Sequence, residues 1–385
     1  MSRISNYSEQ IRGVSYKPEE VVDVLDDTSI MLLRANNIRD GQINFDDVVY
    51  VKRNKVSDKQ MLRKGDILIC ASSGSKDLVG KAAQITDDIN CTFGAFCKVV
   101  RPKDIHQGFF GMYFQSNKYR RTISQASAGA NINNIKNEDI DTLEIQVPNA
   151  DEQKEIYEVL SKVYNVIYAR TAELLELDNL IKSRFVEMFG RYYEEHINEK
   201  QLNEICDFID YRGKTPEKSE SGIPLITAKN VKDNKFFVEP QEFIPEENYA
   251  TVMTRGIPQV NDVLFTTEAP LGNVCRIPNV YEKFCVGQRL ITMQPHKEVL
   301  NSEYLEYALV SAEFQDKMWQ KSSGSTVKGI RSKLLVLLTI PVPPIEMQND
   351  FAVFVKQVDK LKFEVQKSLK ETQILMDSLM QRYFG

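Results

Sequence analysis

Long apolar runs are missing from this chain of 385 residues. Its longest, near 334–340, falls far short of the ~20 residues that a bilayer-spanning helix needs. The opening stretch, MSRISNYSEQ, is polar and lacks the apolar core of a secretory signal, so no membrane contact and a cytoplasmic location are expected. Paired cysteine spacings are missing too. Cys70, Cys91, Cys97, Cys206, Cys275 and Cys285 form no CxxC and no cluster with histidine. That argues against a zinc site or a disulfide framework and for reduced thiols.

Catalytic signatures are equally scarce. There is no GxxxxGK(S/T) phosphate loop, no GxGxxG after a strand and no Asn/Asp-Pro-Pro-aromatic element of the kind amino-methyltransferases carry. No Asp/Glu pair is tied to a lysine in a nuclease-like strand pattern. His106, His196 and His296 stand in unrelated contexts, and Ser72-Ser73 and Ser322-Ser323 have no visible paired base. No active site, metal or cofactor is therefore expected in this chain. An excess of positive charge is lacking as well: the net charge is −5. A nucleic-acid binder should show a basic footprint. The two globular segments are nearly balanced, +1 over 1–150 and −3 over 191–345, so only the spatial distribution of charge can decide.

What is present is a repeat. Residues 151–190 contain no proline, and their only glycine is the last residue. Apolar residues recur at steps of four and three: Ile156, Leu160, Val163, Ile167, Leu174, Leu177, Ile181 and Met188, with Arg170 and Arg184 interrupting. That spacing predicts a heptad seam on one helix. At ~1.5 Å per residue the rod would be roughly 60 Å long, with Gly190 as its stop. Adding 195 to each number finds the rod again: Gln153 becomes Gln348, Ile156 becomes Phe351, Leu160 becomes Val355 and Val163 becomes Val358. Leu174 becomes Leu369, Ile181 becomes Met376, and Phe189-Gly190 becomes Phe384-Gly385. Val147-Pro148 and Val342-Pro343 lead into the two copies.

The repeat extends upstream. Ser127-Ala-Gly-Ala-Asn-Ile-Asn-Asn-Ile135 matches Ser322-Ser-Gly-Ser-Thr-Val-Lys-Gly-Ile330. Arg34-Ala-Asn-Asn-Ile38 matches Thr227-Ala-Lys-Asn-Val231, and Gly65-Asp-Ile-Leu-Ile69 matches Asn261-Asp-Val-Leu-Phe265. The chain reads as a tandem duplication of an α+β globular domain and a long helix: 1–150, 151–190, 191–345 and 346–385. Within the domains, strands are expected at 66–70, 96–100 and 143–147 and at 262–265, 289–293 and 334–342. Helices are expected at 109–124 and 302–320.

Polar loops at matching places in both domains carry the residue types that contact phosphates and base edges. In the first domain these are Ser73, Lys76, Lys81, Arg120, Arg121, Gln125, Asn131 and Asn133. In the second they are Arg212, Lys214, Lys229, Asn230, Arg276, Gln288, Arg289, Lys321, Lys328 and Arg331. The rods carry a further apolar set beyond the seam: Val159, Val166 and Leu180, matched by Phe354, Leu361 and Leu375. Such a stripe either meets a partner or covers the globular domains.

At this point the chain resembles the specificity subunits of Type I restriction-modification systems over nearly its whole length. The resemblance rests on the domain-helix-domain-helix order and on Asp210-Tyr-Arg-Gly-Lys-Thr-Pro216. Gly65-Asp-Ile-Leu-Ile69 with Ser73-Gly-Ser-Lys-Asp-Leu-Val-Gly80, Thr266-Thr-Glu-Ala-Pro-Leu-Gly272 and Gly287-Gln-Arg289 carry it further, as do Val147-Pro148 with Gln153 and Val342-Pro-Pro with Gln348. The stretch ahead of the first domain is short and matches the second weakly. The family implies two target recognition domains, each reading one half of a split double-stranded DNA sequence. It also implies helices that pack as an antiparallel coiled coil, with pseudo-two-fold symmetry, and that set the gap. Two modification subunits are expected to dock on the helices, bringing S-adenosylmethionine, with ATP-dependent restriction subunits joining them. This chain would itself be non-catalytic. The rival reading is a helix-linked interaction scaffold that binds no DNA.

Overall fold

In a computed structural model of the chain, every residue is described except 23–25, 76–77, 128–133, 212–215 and 325–326, and the side chains of 126–127. The chain divides into two compact units, 1–171 with 367–385, and 172–366. Each unit holds one globular domain and one half of each long helix.

Unit 1 is built on an antiparallel four-stranded sheet in the order Ser8–Arg12, Cys97–Pro102, Ile67–Cys70, Ala82–Gln84. Every residue of Ile67–Cys70 is buried, as a central strand covered on both faces requires. A second sheet sets Cys91–Phe93 parallel to Ser29–Leu33 and continues through Val49–Lys52 to Val21–Val22. Two helices, Gln107–Tyr113 and Asn117–Ser127, stand where one was expected. Phe109, Phe110, Tyr113, Phe114 and Tyr119 pack there with Leu160 of the first long helix and Met376, Met380 and Phe384 of the second.

Unit 2 repeats this plan with its own residues. Its antiparallel sheet runs Cys206–Asp210, Leu290–Pro295, Val263–Thr266, Val274–Arg276. Leu225 and Ile226 pair in parallel with Cys285 and Val286. The expected helix 302–320 is again two helices, Ser302–Val310 and Ala312–Lys321. Ser311 breaks the run because its hydroxyl caps the second helix, accepting from the Phe314 N–H at 3.3 Å. The expected strand 334–342 is also split, into the helix Ser332–Leu335 and the strand Thr339–Pro341.

The weak match at the start of the chain resolves in the backbone. Ser2–Arg3 pairs antiparallel with Glu144–Ile145, as Glu199–Gln201 pairs with Thr339–Pro341. Ile4 donates to the Leu143 carbonyl at 2.8 Å, as Leu202 does to Leu338 at 3.0 Å.

The long helices are Ala150–Glu194 and Ile345–Phe384. Gly190 does not stop the first. Tyr192 and Tyr193 extend it because both find partners, the Met347 sulfur at 3.6 Å and the Tyr304 hydroxyl at 3.4 Å. The turn comes later, at His196 and Asn198, whose φ angles are 51° and 52°. In unit 2 the helices run antiparallel. Tyr192 meets Met347, Phe189 meets Phe351 at 5.5 Å and Asp178 meets Lys362 at 2.6 Å, so rising numbers on one helix face falling numbers on the other. In unit 1 the heptad residue Leu160 shares its core with Met376 and Met380. The seam residues Ile156, Val163, Ile167, Leu174, Leu177 and Leu369 are half-buried, and Leu160, Ile181, Phe351, Val355, Val358 and Met376 are buried. Among the described residues, no helix is long and apolar enough to cross a membrane.

Candidate nucleic-acid interface

Each main sheet ends in a platform of three loops tied by backbone hydrogen bonds. In unit 2 the loop after Val263–Thr266 meets the corner before Leu290–Pro295. Thr267 donates to the Arg289 carbonyl at 3.1 Å, and Ile330 donates to the Thr267 carbonyl at 3.0 Å. Glu268 forms an isolated bridge with Gly329. A cleft of about 410 Å³ opens on this platform, lined by Glu268, Gln288, Arg289, Ser323 and Arg331 among others. Gln288 and Arg289 also line a neighbouring cleft of about 350 Å³ with Lys218, Lys229 and Lys232. The corner therefore lines two clefts that hold five cations against two carboxylates, Glu242 and Glu268, in a domain whose net charge is negative. That is the footprint a polyanion needs.

Several of these cations are held in place. Lys218 and Lys229 lie 2.7 Å and 2.8 Å from Glu242. Burial pushes the Glu242 carboxyl up, but the two lysines outweigh it and hold it below the usual range. Arg289 lies 3.3 Å from Glu268, with both side chains about half exposed. Lys321, at the end of the helix Ala312–Lys321, and Lys328 and Arg331, on the third loop, are exposed.

Unit 1 has the same platform. Ala71 and Ser72 donate to the Phe96 carbonyl at 2.9 and 3.0 Å, Ile135 donates to Ala71 at 2.8 Å, and Ser72 bridges Asn134. Ser73 and Lys81 are half-buried in the first loop. Arg120 donates to the Val79 carbonyl at 3.1 Å and so supports that loop from the helix Asn117–Ser127. Arg121 and Gln125 are exposed on the same helix. Lys76, Asn131, Asn133, Arg212 and Lys214 lie outside the described residues.

A family model described as Type I restriction modification DNA specificity domain matches residues 29–177 and 194–374. The chain belongs to this specificity family. It is 30% identical to the Type I restriction enzyme EcoKI specificity subunit of Escherichia coli (strain K12), over 99% of this chain and 87% of that one. It is 39% identical to the StySPI specificity subunit of Salmonella potsdam over 46% of this chain and 39% of that one. A crystal structure of the S subunit from M. genitalium shares the fold, with a TM-score of 0.56 at 18% identity over 100% of this chain and 95% of that one.

Two expected site residues of this specificity chain prove to be structural. Asn230 is 3% exposed. Its amide oxygen accepts from the Thr227 N–H at 2.9 Å, and its amino group donates to the Phe237, Val238 and Pro240 carbonyls. Asn37 does the same work in unit 1, accepting from Arg34 at 2.8 Å and donating to Asn44 and Asp47. Arg276 is likewise committed, to Glu306 at 2.7 Å, Glu303 at 3.1 Å and Asp359 at 3.3 Å. Burial alone would lower its pKa, but the carboxylates outweigh burial and hold it firmly charged. Neither side chain is free to meet DNA.

Four residues that sequence reasoning passed over stand at the candidate site: Glu268, Lys218, Lys232 and Phe96. Phe96 is 72% exposed at the place Arg289 holds in unit 2. Aligning Gly94-Ala-Phe96 with Gly287-Gln-Arg289 would have revealed it.

His196, Glu199 and Glu313 have cation-binding geometry, yet the Lys317 ammonium lies 3.0 Å from Glu199 and 2.7 Å from Glu313. All six cysteines are buried and free, and burial pushes Cys70 up to about 11 and Cys91 and Cys285 to about 12, so their thiols stay protonated. Beyond the seam, Val166, Leu180, Leu361 and Leu375 are exposed, whereas Val159 and Phe354 are half-buried.

Proposed function

We propose that this chain is the sequence-reading subunit of a Type I restriction-modification complex. Each globular domain reads one half of a bipartite double-stranded DNA target, and the long helices set the gap. The observation that supports the reading is the recurrence of one three-loop platform at the end of the main sheet in both units, with exposed cations on it in unit 2 and with Lys81 and the exposed Arg121 and Gln125 beside it in unit 1. Rigid strands hold reading groups in register, and loops vary what is read.

The exposed apolar residues Val166, Leu180, Leu361 and Leu375 on the long helices suit docking of two modification subunits. Those subunits would bind S-adenosylmethionine and transfer the methyl group, and restriction subunits would supply ATP-driven translocation and cleavage. This chain would bind no cofactor, would catalyse no step and would act in the cytoplasm, where reduced thiols are the rule.

The test is co-expression with the modification subunit followed by genome-wide methylation mapping. Methylation at a split motif with a fixed gap is the expected result. Methylation without any motif, or a co-purified complex that fails to methylate or bind DNA, would point to the scaffold reading instead.

A further inference from the structure

The two platforms share the backbone contacts that tie their loops together. Phe96 and Arg289 each present a carbonyl to the loop that follows the central strand, at 2.9 Å from Ala71 and 3.1 Å from Thr267. Ser72 and Glu268 each bridge the third loop, at Asn134 and Gly329. Two side-chain positions therefore correspond between the units, and at both the chemistry differs. Unit 2 places a guanidinium beside a carboxylate, 3.3 Å apart, with side chains 54% and 49% exposed. Unit 1 holds Ser72 and Phe96 at these two positions, and Phe96 is 72% exposed.

Each pair matches a different base pair. A carboxylate on a DNA-facing surface is repelled by phosphates unless it accepts a base donor, and cytosine N4–H₂ is the donor that Glu reads in the major groove. Arg reads guanine O6 and N7 through two parallel hydrogen bonds. Together, Arg289 and Glu268 match a G·C pair. A phenyl ring makes no such bond. Its match in the groove is the thymine C5-methyl, which gains by apolar contact. A ring exposed at the reading corner, where the other unit keeps an arginine, calls for an apolar partner.

We propose that Arg289 with Glu268 specifies a G·C pair in the half-site read by unit 2, and that Phe96 specifies a thymine at the corresponding position in the half-site read by unit 1. This rests on the DNA-reading function proposed above. The test uses the full chain in complex with its modification subunits. Methylation mapping first defines the wild-type motif, then the motifs of Arg289→Gln, Glu268→Gln and Phe96→Ala.

The Arg289→Gln complex should lose guanine preference at one position, by about ten- to a hundredfold, and gain adenine, the base that Gln reads. Glu268→Gln should relax the same base pair. Phe96→Ala should relax one thymine in the other half only. Replacing that thymine by deoxyuridine in a synthetic duplex removes only the methyl. It should weaken wild-type binding as much as Phe96→Ala does, and should leave the Phe96→Ala complex unaffected.

A clear bipartite motif whose bases are untouched by all three substitutions overturns this proposal while leaving the reading function intact. The same holds if deoxyuridine weakens wild type and Phe96→Ala equally. Absence of any motif in the wild type removes the reading function itself, and this proposal with it. All three side chains are about half exposed or more, and an unchanged thermal midpoint in each variant separates lost reading from lost folding.

Discussion

Gln153 and Gln348 show what the repeated motifs do at the scale of one residue. Each is buried at the start of a long helix. Gln348 accepts from the Asn301 N–H at 2.9 Å and donates to the Pro343 and Val299 carbonyls at 2.7 and 3.0 Å. Gln153 accepts from His106 at 2.9 Å and donates to Pro148 at 2.8 Å. The amide thus ties the Val-Pro lead-in and the domain's own helix to the rod. Gln348→Ala orphans these buried groups and should lower stability by about 1–3 kcal/mol, read as a shift in denaturant midpoint at constant slope. Arg276→Met should likewise destabilise, because it strands buried carboxylates, by about 3–5 kcal/mol. Mapped methylation should still show the wild-type motif, since Arg276 reads nothing. The sequence made these roles only half legible. A lone Arg or Asn beside Gly looks the same whether it faces solvent or a buried carbonyl. The repetition that singled out Asn230 and its partner Asn37 marked a shared turn, not a shared contact.

At the scale of the element, the rods were the most readable part of the chain. A heptad period over forty residues has few alternative explanations. Their ends were not readable, because Gly190 stops a helix only if nothing beyond it packs, and Tyr193 packs. Nor did period alone separate two short helices from one, as at Ser311. The aromatic knot of Phe185, Phe189, Tyr304 and Phe351 anchors the helices in unit 2, with ring centroids 4.9 to 5.6 Å apart. Phe351→Ala opens a cavity there and should lower stability by about 3–5 kcal/mol. Charge adds a pH dependence. Burial raises the Asp178 carboxyl, but hydrogen bonds from Lys235 and Lys362 outweigh it and hold it below its ordinary value. A depressed carboxyl stabilises the fold fully above its unfolded pKa of ~3.9 and loses that contribution as pH falls through the lower folded value. Asp178→Asn should therefore flatten the acid limb of the stability profile below pH ~4 and leave its slope near pH 7 unchanged. A wild-type acid limb in the variant would show that the lysines do not act through this carboxylate.

At the scale of the molecule, the net charge of −5 hides a local gathering of cations. The total was uninformative because charge is sorted by position: cations gather around Gln288 and Arg289, while acids such as Glu303, Glu306 and Asp359 are turned inward onto Arg276. The duplication itself was legible from the ungapped offset of 195 over the rods and the loop before them, since such a match requires no knowledge of the fold; further upstream the offset drifts by a few residues. Which strands pair was not, since pairing joins residues as distant as Ser8 and Pro102. Because each domain carries its own core and platform, reading should be modular, with the helices governing only the gap. Inserting four residues near 171–174 lengthens the rod by ~6 Å. It should change the spacing between half-sites and leave the bases read unaltered, as methylation mapping would record.

The most direct measurement exchanges residues 191–345 for the corresponding domain of another specificity subunit and maps methylation by the resulting complex. Two independent readers on a common rod predict that one half of the motif takes the donor's sequence while the other half stays as it was. A motif changed in both halves, or unchanged in both, would contradict the account.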